Sequence, residues 1–198
     1  MHVSSRWATA LLASAALASG LGTAVIENSA ASPTTSAESA SATVPVVKQH
    51  LTPSSAVLKK CMPKAKVKIK VELKADAVGF DEFNISAKGL PKYTPFTVFL
   101  LEQADSPFGA AEYIGDITTD NKGRASNEFK LIVEEAFSST LVNGQRVRKE
   151  LNQVGMWFAD PAGDDFCFGK GKGPITPFDG DDEAGIQAFN SRHAAPLP

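Results

Sequence analysis

Residues 64–75 alternate without a break: Ala65, Val67, Ile69, Val71, Leu73 and Ala75 are apolar, and Lys64, Lys66, Lys68, Lys70, Glu72 and Lys74 are charged. A period of two over a dozen residues places one kind of side chain on each face of a pleated strand, and no helix hides that pattern. The chain therefore contains at least one long strand with a buried face and a cationic face. Phe83, Ile85 and Ala87 repeat the alternation and stop at Lys88-Gly89-Leu90-Pro91. Phe96 to Glu102 is more continuously apolar, which predicts a more central strand covered on both sides.

Turn signals divide the rest. Asp120-Asn121-Lys122-Gly123 lies between Tyr113–Thr119 and Ala125–Val133, which predicts a hairpin with Gly123 at a positive φ. Asn143-Gly144 predicts a second hairpin, with a short helix over 146–153 as the alternative. Val154–Ala159 and Phe166–Gly169 supply the last strands. About seven or eight short strands with turns every 8–12 residues, no internal repeat and no βαβ alternation argue for an all-β, antiparallel β-sandwich, with a closed barrel as the runner-up.

The ends carry a different composition. One cation and no acid open the chain, and residues 7–26 are uncharged and rich in Ala, Ser, Gly and Leu. That order is the pattern of a secretory signal peptide over 1–30, cleaved after Ala24 or near Ala30 and Ala31; a retained membrane anchor is the alternative. Residues 31–56 are expected to be a low-complexity, disordered linker, since Ser, Ala and Thr dominate their first half and offer little to bury. A single domain is then expected over 57–192, with a tail over 193–198. Export, with two cysteines in the chain, predicts one disulfide, Cys61–Cys167. That bond also removes both residues as nucleophiles. The expected location is extracellular, with no stable membrane insertion once the signal is gone and no nucleic-acid partner.

Resemblance enters with Gly89-Leu90-Pro91, Tyr93-Thr94, Phe96-Thr97-Val98-Phe99-Leu100 and Thr118-Thr119-Asp120-Asn121-Lys122-Gly123-Arg124. This run resembles a stretch of exported bacterial immunoglobulin-like sandwiches, and the mature length is similar to secreted actinobacterial proteins with no assigned activity. The resemblance implies an immunoglobulin-like fold and carries no functional residues.

Chemistry is mostly bounded by absences. His2 falls in the signal, His50 near the linker and His193 in the tail, so a Ser-His-Asp or Cys-His arrangement lacks a histidine on the predicted core. No Cys/His spacing suits zinc. Two acidic loops remain. Asp160, Asp164 and Asp165, with Glu134 or Glu135, are the candidates for a carbohydrate-active hydrolase, which needs two carboxylates facing across a cleft. Asp179, Asp181, Asp182 and Glu183 are candidate calcium ligands, although Ala184 stands where an EF-hand has its invariant glycine. Solvated loops are the plainer reading of both. Trp157, Phe158, Phe166 and Phe168 are candidates for sugar stacking or for core packing.

Charge gives the last expectation. Residues 59–74 hold seven Lys against Glu72, and residues 160–183 hold seven acids against Lys170 and Lys172, although the formal net charge is only −2. Alternation puts Lys64, Lys66, Lys68, Lys70 and Lys74 on one face of one strand. Such a comb could grip an anionic polymer, for example a cell-wall phosphate polymer, by counterion release. It could equally guard an edge strand against aggregation or simply face water. The reading of the whole is a non-enzymatic extracellular binding or structural module, with the hydrolase as the alternative, and with no cofactor beyond the calcium candidate.

Overall fold

The computed structural model describes residues 43–177 and 183–198. The expected signal peptide and residues 31–42 of the expected linker, together with Asp179, Asp181 and Asp182, lie outside the described residues. Twelve strands are described: β1 (Val46–Pro53), β2 (Lys66–Glu72), β3 (Asp81–Lys88), β4 (Pro95–Leu101), β5 (Ala111–Thr118), β6 (Arg124–Leu131), β7 (Phe137–Val142), β8 (Gln145–Glu150), β9 (Gln153–Phe158), β10 (Thr176–Pro177), β11 (Glu183–Ala184) and β12 (Gln187–Asn190). Three short helices accompany them, α1 (Ala56–Cys61), α2 (Ala75–Val78) and α3 (Asp165–Phe168).

Eight strands form one antiparallel sheet in the order β5-β4-β9-β12-β1-β2-β3-β6. Strand β1 makes it continuous: residues 46–51 pair with β2, whereas Thr52 and Pro53 pair with β12. A five-stranded half (β5, β4, β9, β12, β1) and a four-stranded half (β1, β2, β3, β6) thus share β1 as a corner strand, and the sheet curls almost into a barrel. The all-β antiparallel class expected from the sequence is what the chain adopts. At the open seam Asn127 Nδ2 donates to the Asp116 carbonyl (3.2 Å), a side-chain link between end strands β5 and β6.

Alternation explains the core. Val67, Ile69 and Val71 of β2 and Phe83, Ile85 and Ala87 of β3 point inward to meet Phe96, Val98, Leu100, Met156 and Phe158. Strands β4 and β9 bury their other face as well, where Phe99, Leu101 and Trp157 pack with Ala184 and Phe108. This second layer is the reason for the unbroken apolar run in β4. Among the described residues no second layer covers β2, whose pattern of exposed and buried residues alternates along its length.

Several boundaries differ from the sequence reading. The linker was expected to run to residue 56, yet β1 is an interior strand of the sheet. Gln49 takes an inward position on β1 and hides the period-two signal there; it is buried and donates to the Ala195 carbonyl. The tail is likewise part of the domain, because Leu197 is buried and its N–H reaches the Asn152 carbonyl at 2.8 Å. Phe166–Gly169 is helix, not strand. Asp160 caps a 3-10 turn over Pro161–Asp164, α3 follows directly, and Gly169 ends it at φ 91°.

The predicted Asn143-Gly144 hairpin forms, as β7–β8. The other one does not form a ladder: β5 pairs with β4 and β6 pairs with β3, at opposite ends of the sheet. The Asp120–Gly123 turn reverses the chain but serves as a corner between the halves. It is tied down by Thr119, whose hydroxyl donates to the Pro91 carbonyl (2.6 Å) and accepts from Thr94 N–H (2.8 Å). A β-carbon on Gly123 would lie 2.0 Å from the Leu90 carbonyl oxygen. Leu90–Thr94 and Thr119–Gly123, which carried part of the resemblance, are therefore one hydrogen-bonded knot.

The Cys61–Cys167 disulfide is present, joining the end of α1 to α3. Leu58 and Met62 beside it enter the main core. Among the described residues no helix is long and apolar enough to cross a membrane.

Candidate functional site

The lysine comb has a different setting from the one its sequence implied. Strand β2 lies between β1 and β3, so it is not an edge and needs no guard against edge-to-edge pairing. Only Lys66, Lys68 and Lys70 belong to the strand and project from its exposed face. Lys64 is exposed in the turn before it. Lys74 lies beyond its end and is held by Glu82 at 2.5 Å. That hydrogen bond holds the Lys74 ammonium pKa above its ordinary value.

Register places further cations beside the comb, in four rows that cross the strands. The first is Lys66 on β2, Lys88 on β3 and Arg124 on β6. The second is His50 on β1, Lys68, Ser86 and Ser126. In the third, Lys48 and Lys70 adjoin Asn84 and Glu128. The fourth turns acidic, with Glu72 opposite Glu82 and then Lys130. Neighbouring strands are about 4.8 Å apart, and alternate residues on one strand about 6.6–6.8 Å. The field is thus wider than the comb: Lys48, His50, Lys88 and Arg124 come from three other strands. No spacing in the sequence announces them, because pairing register is a tertiary property.

The face is hollowed. A groove of about 690 Å³ runs over Lys48, His50, Lys68 and Lys70 toward Ser126 and Glu128. A second hollow of about 240 Å³ lies along Lys66, Lys88 and Arg124, and the two share Lys68 and Ser86. Lys70 is paired with Glu72, and Arg124 with Asp120 at 3.1 Å. The hydrogen bond from Lys70 holds the Glu72 carboxyl below its usual range, and backbone N–H groups led by that of Arg124 do the same for Asp120. Lys48, Lys66, Lys68 and Lys88 make no ion pair with any described carboxylate. Their charge is available to a ligand.

The acidic candidates are arranged otherwise. Asp160 accepts from Ala162 N–H (2.8 Å) and Asp165 from Gly171 N–H (2.7 Å), so both serve local backbone. Asp160 and Asp165 line a hollow of about 340 Å³ with Lys170 and Ile175. Glu134 and Glu135 do not line it; they are exposed in the turn between β6 and β7. Asp164 is fully buried, with Oδ2 accepting from Ile186 N–H at 3.2 Å. Burial pushes its carboxyl pKa up. Of the calcium candidates only Glu183 is described, and it is exposed on β11. Among the described residues no three His, Cys, Asp or Glu side chains are placed to hold a metal ion.

The aromatic candidates divide. Phe158 packs on Phe96 in the main core (4.9 Å between ring centroids), and Trp157 lies edge-on to Phe99 in the second layer (5.5 Å). Both rings are buried, so neither offers a stacking face. Phe166 is exposed on α3, and Phe168 packs in part against the main core. His50, expected near a linker, instead stands in the cationic field opposite Lys68. Compared with protein-family models, curated proteins and solved structures, the chain matches none.

Proposed function

We propose that the chain is an exported, non-enzymatic module that binds an extended anionic polymer, such as a cell-wall phosphate polymer, on the outer face of β1, β2, β3 and β6. One observation carries this reading: cations stand directly opposite cations across the outer face of β1, β2, β3 and β6. Lys48 faces Lys70, Lys66 faces Lys88, and Lys88 faces Arg124. Like charges in such pairs destabilise a sheet, and solubility alone does not call for them. An anionic ligand converts that repulsion into affinity by releasing counterions. The disulfide suits an oxidising compartment. The resemblance to exported sandwiches points the same way.

Retention on a wall-phosphate column across a salt series tests the proposal. Engagement of three or four cations predicts a slope of log affinity against log salt of about −2 to −3. A variant carrying Lys66→Glu, Lys68→Glu and Lys70→Glu should elute early at all salt concentrations. Retention that ignores salt, or that the variant keeps in full, would leave the face without a binding role.

A further inference from the structure

The cationic field has a direction that the comb alone conceals. Along β2 the outward residues run Lys66, Lys68, Lys70, Glu72. Lys70 is already paired with Glu72, and Glu72 stands opposite Glu82. An anionic chain laid lengthwise on β2 thus meets two unpaired lysines and then the Lys70–Glu72 ion pair, with Glu82 of β3 beside it. Across the strands the outcome is different. The row Lys66, Lys88, Arg124 sets three cations about 4.8 Å apart from strand to strand, of which Lys66 and Lys88 are unpaired among the described carboxylates and Arg124 is shared with Asp120. The adjacent row adds Lys68 with the hydroxyls of Ser86 and Ser126, all hydrogen-bond donors, and no acid. The hollow along Lys66, Lys88 and Arg124 also takes in Lys68 and Ser86, so part of both rows borders one concavity.

We infer that the polymer crosses the strands from β2 to β6 over these two rows, with Lys66 and Lys88 as its principal contacts and Arg124, already paired with Asp120, at the far end of the path. This rests on the proposed polyanion binding and goes further by giving the ligand's path and class. Closely spaced cations suit a chain with an anionic group on every backbone repeat, of the phosphodiester kind. A sparsely charged uronate polymer leaves part of the row unmatched. The carboxylates of Glu72, Glu82 and Glu128 close the field on one side and stop the chain from turning along the strands.

The test is a titration at fixed, low salt of linear inorganic polyphosphate against the folded domain and three single variants, each checked by circular dichroism. Lys66→Gln and Lys88→Gln should each weaken binding by about fivefold, the usual worth of one cation at an anionic surface. Lys70→Gln should weaken it less than about twofold, because Glu72 already neutralises that lysine. Hyaluronate should bind more weakly than polyphosphate at equal charge concentration. If Lys70→Gln costs as much as Lys66→Gln while Lys88→Gln costs nothing, the chain runs along β2 and the crosswise path is overturned, with polyanion binding left standing. Equal affinity for hyaluronate overturns the ligand class. Polyphosphate binding indifferent to all three substitutions overturns the path and the proposed function together.

Discussion

Replacing both Cys61 and Cys167 with Ala should cost about 4–5 kcal/mol, because the bond closes a large loop in the unfolded chain. The cysteines are 106 residues apart in sequence. In the loop-entropy account such a closure removes about 16 cal/mol/K from the denatured ensemble, or about 4.8 kcal/mol at 25 °C. Lost packing adds little, since both residues are only half-buried. The loop contains β2 through β9, whereas β1 and β12, which pair with each other at the sheet corner, lie outside it. Without the bond, that corner must be assembled from the far ends of the chain. Guanidinium unfolding at pH 7 measures the effect, with reduced wild type as the control for side-chain loss. The variant and the reduced protein should show the same lower midpoint, and a steeper denaturant dependence because the uncrosslinked chain unfolds to a more exposed state. A loss below about 1 kcal/mol with an unchanged slope would refute the reasoning.

Asp81→Ala should be among the most damaging polar substitutions, at about 3 kcal/mol or more, since it strands three backbone donors. The buried Asp81 carboxylate accepts from Lys74, Ala75 and Val133 N–H at 2.8–2.9 Å; urea unfolding reads the cost. Gly123→Ala should destabilise far more than Gly144→Ala, which should lose only the about 1–2 kcal/mol of a left-handed backbone. Both have positive φ, but a β-carbon at Gly123 meets the Leu90 carbonyl and one at Gly144 meets nothing within 4 Å; melting temperatures separate them. Asp164, whose pKa is raised by burial, binds its proton more readily folded than unfolded. Its contribution to stability is therefore lost as pH rises through the folded pKa. The stability of wild type minus that of Asp164→Asn should fall between acid and neutral pH, and a difference that rises would contradict this.

How much was legible follows from which physics is local. Periodicity marked β2 and β3 because Val67, Ile69 and Val71 and then Phe83, Ile85 and Ala87 are apolar at successive inward positions, and a continuous apolar run marked β4. Periodicity missed β1, where Gln49 interrupts the pattern and finds its partner in the tail. Phe166 and Phe168 look alternate in a four-residue run, which is too short to tell a strand from a turn of helix. The Asp120–Gly123 turn was read correctly as a reversal, but a turn does not say whether its arms pair. The knot with Thr119 and Leu90 sends them apart. The site follows the same division. Three lysines of β2 were visible from alternation, whereas Lys88, Arg124 and His50 join them through register alone.

The central claim is that the outer face of β1, β2, β3 and β6 holds an anionic polymer, and amide chemical-shift mapping tests it most directly. Polyphosphate titrated into isotope-labelled protein should shift Lys66, Lys68, Ser86, Lys88, Arg124 and Ser126, in a way that added salt reverses. The β7–β8 hairpin, with its exposed Arg146 and Arg148, is the internal control for unspecific cation binding. It should stay still. Shifts that gather on that hairpin, or none on the four strands at millimolar polyphosphate, would contradict the account.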